Sequence, residues 1–283
     1  MTTQTASETD VTVRTLEHGP LLATLYRPAG AAIAAVVEVH GGGWTSGDRT
    51  SNEPIARHLS ANGIAVLSLD FRMPPQAAYP VTLTDVTAGL RWMKAHAPDV
   101  GTVAGRVGLL GTSSGGHLAL LAALKPRDER YAGKPAPGEP DGTVGFAVLG
   151  WPVSDPLARY HAVRERANTR LIEAHHAFWA DEAAMAEGSP YDIVVRGDAQ
   201  NMPSLLILQG MNDDNLTPDM QHRFIDAYRA KGGNAELVLF DGEPHSFIGR
   251  DPASAASRDA LVRMTAFIIR EATAGGKDGS VRR

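Results

Sequence analysis

From residue 34 onwards, short unbroken apolar segments alternate with segments of helical periodicity, and this alternation constrains the fold more than any other feature. Strands that are apolar on both faces and separated by amphipathic helices are typical of a parallel sheet covered on both sides. The apolar segments are AAVVEVH, IAVLSLD, RVGLLG, TVGFAVLG, SLLILQG and AELVLF. The helical segments are 51–62, 81–96, 113–124, 218–232 and 256–272.

Residues 11–28 precede this alternation and predict two further strands around a turn at 18–20. The sequence therefore predicts an α/β fold. We expect a mostly parallel sheet of about eight strands with helices on both faces. The first pair of strands is expected to be antiparallel.

Two segments interrupt the rhythm. Residues 125–142 contain four prolines and predict a surface loop. Residues 155–187 are helix-prone, aromatic and longer than an α/β connection requires, so we interpret them as a small helical cap over the carboxyl edge of the sheet. The tail at 275–283 predicts a flexible segment. We find no repeat, and the chain from 1–283 is interpreted as a single domain.

Composition excludes several classes of function. The 283 residues are 43% apolar, and 27 basic against 32 acidic side chains give a net charge of −5. This mild acidity argues against a nucleic acid or a membrane as partner. The absence of cysteine excludes disulfides and thiol nucleophiles. The first ten residues lack the pattern of a signal peptide, so we expect a cytoplasmic protein. The oligomeric state stays open, a homodimer included.

The sequence GTSSG at residues 111–115 matches the G-x-S-x-G nucleophile elbow and lies between an apolar strand and a helical segment. So tight a turn admits small neighbours and holds its serine beside the amides and dipole of a helix N-terminus. Centring the motif on Ser113 puts glycine at both flanks, whereas centring it on Ser114 puts Thr112 where glycine belongs. The alternative is a glycine-rich turn that caps a helix.

The sequence HGGGW at residues 40–44 directly follows a predicted strand. Glycines at this position let bare amides approach a ligand closely, as a tetrahedral oxyanion requires. A phosphate-binding loop is excluded because Asp48 stands where its lysine is needed. We interpret His40 as a residue that braces the loop rather than as a proton carrier.

An acid and a histidine are expected downstream of the elbow, in that order and each after a strand. The segment SLLILQG is followed by Asp213 and Asp214, and AELVLF is followed by a loop that contains His245. We predict Asp213 as the acid, with Asp214 in reserve. Since serine is a weak nucleophile, His245 must take its proton and the carboxylate must orient the imidazole ring.

Five ordered motifs, HGGGWTSGDR, DFR, GTSSGGHLA, GMNDDNLTP and GEPHSF, resemble those of the α/β-hydrolase superfamily. They are similar to its esterase branch, which includes hormone-sensitive-lipase-like and feruloyl-esterase-like carboxylesterases, over about residues 12–271. The sequence departs from the lipase-like branch at Thr112, at Ser114 and in DFRMPPQAAYP, which leaves the substrate open. The resemblance implies an α/β-hydrolase fold with nucleophile Ser113, acid Asp213 and base His245, and an oxyanion hole made by the amides of Gly42, Gly43 and Ser114.

The remaining residues concern substrate and cofactor. No histidine pattern has the spacing of metal ligands, so we expect neither a metal nor an organic cofactor. Charged cap residues predict a water-facing surface, and hence small, soluble substrates rather than lipid. These residues are Arg159, Arg164, Glu165, Arg166, Arg170 and Glu173. Candidate substrate-binding residues, which the alternative of cap packing would equally explain, are Trp44, Trp151, Phe178 and Trp179.

Three functions fit these observations. We favour a serine hydrolase that cleaves small soluble carboxylic esters through an acyl-enzyme. The first alternative is an amide hydrolase of the same fold, similar to formamidases and arylformamidases. The second is a non-catalytic binding protein on the same scaffold, since fold does not determine function. The presence of all three predicted triad residues argues against the last.

Overall fold

A computed structural model describes residues 6–17 and 19–274 of the chain. Eight strands form one sheet in the order β1-β2-β4-β3-β5-β6-β7-β8. The strands are β1 (Ser7–Leu16), β2 (Gly19–Arg27), β3 (Ala34–Val39), β4 (Ile64–Leu69), β5 (Val107–Thr112), β6 (Phe146–Gly150), β7 (Ser204–Gly210) and β8 (Ala235–Phe240).

The helices follow the strands in the alternation that the sequence predicts. They are α1 (Glu53–Ala61), α2 (Leu83–Ala95), α3 (Ser113–Leu124), α4 (Glu129–Ala132), α5 (Pro156–Glu165), α6 (Thr169–Phe178), α7 (Glu182–Glu187), α8 (Pro190–Arg196), α9 (Pro218–Ala230), α10 (Phe247–Arg250) and α11 (Ala255–Ala274). The segment 125–142, predicted as a loop, contains the short helix α4.

The sheet is parallel except around β2, which pairs antiparallel with β1 and with β4. Strands β3, β4, β5 and β6 are buried along their whole length, as their unbroken apolar sequences predict. The predicted α/β architecture and its mostly parallel eight-stranded sheet are therefore confirmed.

Alternate residues of each central strand point into two separate cores. On β3, Val37 and Val39 belong to the core that contains α2 and α3 residues, whereas Val36 belongs to the core that contains α1 and α11 residues. Both faces of the sheet are therefore covered by helices. Because the central strands run parallel, their carboxyl ends meet at one edge, where loops from distant parts of the chain come together.

The segment 155–187 forms α5, α6 and α7, which lie between β6 and α8 in the chain. Residues of α5 and α6 line the same cavity as Ser113. The flexibility predicted for 275–283 concerns residues outside the described part of the chain. Within the described ranges, no helix has the length and apolar character needed to cross a membrane.

Candidate active site

Ser113 lies at the turn between β5 and α3, with its backbone in the left-handed region at φ 51°. A side chain at Gly115 would lie 2.1 Å from the carbonyl oxygen of Val39 and 2.2 Å from that of His40. The glycine therefore lets the start of α3 approach the end of β3. This close approach explains why the elbow motif requires glycine two residues after the serine.

Other strained residues surround this turn. Non-glycine residues rarely adopt positive φ, and such strain is concentrated at functional sites. Of the five non-glycine residues with positive φ in the described chain, Ala167 lies in the loop between α5 and α6. The other four belong to the elbow, to the loop after β3 or to residues beside them: Trp44, Ser113, Trp151 and Ser246.

His245 and Asp213 complete a hydrogen-bonded chain that begins at Ser113. The Oγ atom of Ser113 is 3.1 Å from Nε2 of His245, and Nδ1 of His245 is 2.7 Å from Oδ2 of Asp213. The three residues follow β5, β8 and β7, so the common carboxyl edge of the sheet brings them together. Asp214, the reserve acid, is exposed and lies outside this chain of contacts.

The carboxylate of Asp213 is buried, with 4% of the residue exposed. Its Oδ1 accepts hydrogen bonds from the amides of Asn215 and Leu216, and its Oδ2 accepts one from Gln209. Burial by itself raises the pKa of this carboxyl. The hydrogen bond and the charge of His245, together with the hydrogen bonds from the amide of Leu216 and the side chain of Gln209, outweigh burial and lower the pKa below its ordinary value. Asp213 is therefore ionised at neutral pH.

The loop after β3 presents unpaired amides to the same space. Gly42 and Gly43 have positive φ, and a side chain at Gly42 would lie 1.9 Å from the carbonyl oxygen of Ser46. Within residues 6–17 and 19–274, the amides of Gly42 and Gly43 donate no hydrogen bond. The amide of Trp44 donates to Oγ of Ser114 at 3.1 Å, which joins this loop to the elbow.

His40 braces this loop, as its position in the sequence indicates. Its Nδ1–H donates to the carbonyl oxygen of Gly41 at 2.7 Å, and its ring stacks on Phe71. Burial lowers the pKa of His40, so the ring is neutral at pH 7. A neutral, buried ring in a backbone contact suits a structural role.

These residues surround a cavity of about 310 Å³. Its walls come from the loop after β3, from the elbow, from the His245 loop and from cap helices α5 and α6. Polar residues predominate over apolar ones. The lining residues that bear on the arguments below are Gly42, Gly43, Ser113, Trp151, Arg159, Arg170, Leu171, Asn215 and His245.

Of the four predicted substrate-binding aromatics, Trp151 lines this cavity and the other three do not. Trp44 is fully buried and stacks on Phe178 with ring centroids 5.1 Å apart, while Trp179 packs edge-on against both rings. We correct the substrate-contact prediction for Trp44, Phe178 and Trp179. The three rings pack against one another between the cap and the sheet, and His117 lies against the rings of Trp44 and Trp179.

The prediction that Arg159 lies on the water-facing surface of the cap is wrong. The residue is 1% exposed and lines the cavity, whereas Arg164 of the same helix is exposed. Sequence reasoning also missed Arg170 and Asn215 as cavity residues. The signal that could have identified the two arginines is their occurrence together in a segment already interpreted as a cap over the site.

No group of three or more metal-binding side chains occurs among residues 6–17 and 19–274. The expectation that no metal or organic cofactor is needed stays a prediction.

The comparisons with known proteins agree with this geometry. A family model described as alpha/beta hydrolase fold matches residues 36–249, more than half of the chain. The chain therefore belongs to the α/β-hydrolase superfamily. Its relatives place it within the hormone-sensitive-lipase-like carboxylesterase branch of that superfamily.

Two relatives come from Mycobacterium tuberculosis. The carboxylic ester hydrolase LipN is 38% identical over 244 residues, which cover 81% of this chain and 61% of LipN. The esterase LipI is 33% identical over 257 residues, which cover 87% of this chain and 76% of LipI. The chain thus spans less than two thirds of the length of LipN.

Among solved structures, a hyperthermophilic esterase from the archaeon Pyrobaculum calidifontis matches with a TM-score of 0.77. The two chains are 24% identical, and the match covers 95% of this chain and 87% of the archaeal one. At this identity the likeness is one of fold.

Proposed function

We propose that this protein is a serine hydrolase that cleaves small carboxylic esters through an acyl-enzyme intermediate. The observation that carries the proposal is the chain of contacts from Ser113 through His245 to Asp213, at 3.1 Å and 2.7 Å. Both distances are hydrogen-bond lengths, as a nucleophile, base and orienting acid require.

In the first half-reaction, Oγ of Ser113 attacks the ester carbonyl carbon while Nε2 of His245 takes the hydroxyl proton. Asp213 keeps the other ring nitrogen protonated and stabilises the imidazolium. The unpaired amides of Gly42 and Gly43, together with that of Ser114, stabilise the oxyanion. The intermediate then collapses, His245 gives its proton to the leaving alcohol, and the acyl group stays on Ser113.

In the second half-reaction, His245 takes a proton from water as that water attacks the acyl carbon. A second tetrahedral intermediate forms in the same amide cradle. Its collapse releases the carboxylic acid and returns the proton to Ser113. The reaction consumes one water per ester and needs no other reagent.

The preference for small esters rests on the size of the cavity. At about 310 Å³ it lies at the lower end of the range for ligand sites, roughly 300–1,000 Å³. Relatives named as esterases, LipN and LipI, support ester rather than amide chemistry.

The test is a series of aryl esters of increasing acyl length, assayed below and above their solubility limits, beside matched anilides. We expect the fastest turnover with short acyl groups, no increase at an oil–water interface and slower anilide cleavage. Ser113→Ala should lower turnover by several orders of magnitude, because the triad acts as a unit.

A serine-directed organophosphate identifies the nucleophile independently. We expect it to label Ser113 and to stop turnover, and mass spectrometry of the labelled peptide distinguishes Ser113 from Ser114. Labelling of Ser114, or full activity in Ser113→Ala, would refute the proposal. Anilides cleaved faster than esters would instead identify an amide hydrolase.

A further inference from the structure

The cavity beside Ser113 contains two arginines and no acidic side chain. Arg159 of α5 and Arg170 of α6 both line it, and no described residue that lines it is Asp or Glu. The carboxylate of Asp213 is buried behind the ring of His245. Since the whole chain carries a net charge of −5, this positive wall departs in sign from the rest of the protein.

None of the groups in direct contact with Arg159 carries a charge. Its Nε donates to Oδ1 of Asn215 at 3.0 Å, and its Nη1 is 3.4 Å from Nε2 of His175. Its guanidinium lies 5.3 Å from the ring centroid of Trp44. Burial lowers the pKa of His175 to about 2, so that ring is neutral. All three partners are therefore uncharged.

Neither cavity arginine forms an ion pair with an acidic side chain in the described part of the chain. Arg164, also on α5, shows the ordinary arrangement, since its Nη1 lies 3.6 Å from a carboxylate oxygen of Glu182. Charged groups are rarely buried without an ion of opposite sign, because removal from water is costly. Arg159 is an exception to this rule, and an anion bound in the cavity would supply the missing charge of opposite sign.

The charges of the two arginines also act on each other. Burial first, and then the positive charge of Arg170, lower the pKa of Arg159 to about 10, while Asp213 opposes this shift. Arg159 stays protonated at neutral pH. An anion held between the two guanidinium groups would relieve their repulsion.

We infer that this esterase site selects esters carrying a carboxylate, which Arg159 and Arg170 bind while Ser113 attacks the ester carbonyl. The planar guanidinium fork matches a carboxylate in two parallel hydrogen bonds, which suits a small oxyanion better than a neutral group. The inference rests on the proposed ester hydrolysis. It assigns Arg159 and Arg170 as specificity-determining residues.

The test uses two pairs of esters that differ only in charge. Ethyl hydrogen succinate and ethyl succinamate carry a carboxylate or an amide on the acyl side. The acetate esters of glycolic acid and of glycolamide carry the same groups on the alcohol side. Each kcat/KM is divided by the rate of the same ester with hydroxide, so that intrinsic reactivity cancels.

We expect the anionic member of one pair to be favoured at least tenfold, and the favoured pair shows on which side the carboxylate lies. The KM of that anionic ester should rise with ionic strength, because salt screens the attraction. Equal rates within both pairs would overturn the inference and leave the proposed function intact. No hydrolysis of any of the four esters, with no organophosphate labelling of Ser113, would overturn both.

Variants assign the preference to the arginines. Arg170 is exposed, so Arg170→Gln is expected to fold, and it should lower the ratio of anionic to neutral kcat/KM about tenfold. Arg159→Gln should lower the ratio further, and Arg159→Lys, which keeps the charge, should restore part of it. Arg164→Gln is the matched control and should leave the ratio unchanged.

A purely structural role makes a different prediction. Asn215, which accepts from Arg159, donates its amide to Asp213 at 2.9 Å, so Arg159 also braces the loop of the predicted acid. If bracing were its whole role, Arg159→Gln would lower kcat for anionic and neutral esters equally. An unchanged ratio in both Arg159→Gln and Arg170→Gln would therefore refute the inference.

Discussion

Asp213 and Asp214 are adjacent in the chain but occupy opposite environments. Asp213 is buried and accepts hydrogen bonds from His245, Gln209 and two backbone amides. Asp214 is exposed, and its carbonyl oxygen accepts a hydrogen bond from Arg166. The strand before them predicts an acid at this point, but the choice between two neighbouring carboxylates depends on which one the loop turns inwards.

Asp213→Asn is expected to lower kcat by about 10⁴-fold, because an amide donor beside Nδ1 stabilises the wrong tautomer of His245. Asp214→Asn is the matched control and should keep kcat within about twofold of the wild type. Steady-state kinetics on a soluble aryl ester, with circular dichroism to verify folding, measures both. If Asp214→Asn lowered kcat strongly and Asp213→Asn lowered it only slightly, Asp214 rather than Asp213 would be the acid.

Among the elements, α6 shows how the cap is attached to the sheet. Phe178, at the end of α6, stacks on Trp44 in the loop after β3. The indole N–H of Trp44 donates to Nδ1 of His117 at 3.2 Å, and Nε2 of His117 lies 2.9 Å from the carbonyl oxygen of Gly188. Burial lowers the pKa of His117 to about 4, so this link is neutral at pH 7. The aromatic cluster therefore joins the loop after β3, α3 and the cap.

Phe178→Ala should lower the free energy of unfolding by about 3–5 kcal/mol, the cost typical of removing a buried phenylalanine ring. Glu173→Ala, an exposed change on the same helix, should stay within about 0.5 kcal/mol of the wild type. Urea denaturation of both variants provides the comparison. If Phe178→Ala kept its stability and changed only the preferred acyl length, the substrate role predicted from the sequence would be correct after all.

At the scale of the whole molecule, one buried acid makes stability depend on pH. Glu38, the next-to-last residue of β3, is fully buried, and its Oε1 accepts a hydrogen bond from Nδ2 of Asn52 at 2.6 Å. Asn52 also donates to Oγ1 of Thr112, the residue before Ser113. Burial raises the pKa of Glu38 to about 7, although the Asn52 hydrogen bond opposes the shift.

In the unfolded chain, Glu38 has a pKa of about 4.3. Between this value and about pH 7, the folded protein holds a proton that the unfolded chain releases. This contribution to stability is present in full below the unfolded pKa, and it is lost as the pH rises through the folded pKa. At about 1.36 kcal/mol per pKa unit, the full loss amounts to about 4 kcal/mol.

Glu38→Gln removes this dependence, because an amide does not titrate. We expect the free energy of unfolding of the variant, relative to the wild type, to rise by about 3 kcal/mol between pH 4.5 and pH 8. Glu173→Gln, on the exposed face of α6, is the control and should show no such change. If the free energy of unfolding changed with pH in the same way for the wild type and for Glu38→Gln, the conclusion that buried Glu38 keeps its proton up to about pH 7 would be wrong.

The sequence by itself was enough to predict the sheet and the order of the proposed reactive residues along the chain. Burial leaves a signature in the local sequence. Strands that are buried on both faces appear as unbroken apolar segments such as AAVVEV and RVGLLG. The elbow around Ser113 was also recognisable, because its glycines have a fixed spacing on either side of the serine, although the close approach that requires Gly115 is to Val39 and His40. The loops of Asp213 and His245 followed from their places after β7 and β8.

The tertiary structure alone decided which side chains face the cavity. Arg159 and Asn215, whose side chains are in contact in the cavity wall, are 56 residues apart in the chain. Such contacts depend on how whole helices pack, and this leaves no periodic trace near either residue. For that reason Trp44, predicted at the cavity, is buried in the packing of the cap, while Arg159, predicted at the surface, lies in the cavity wall.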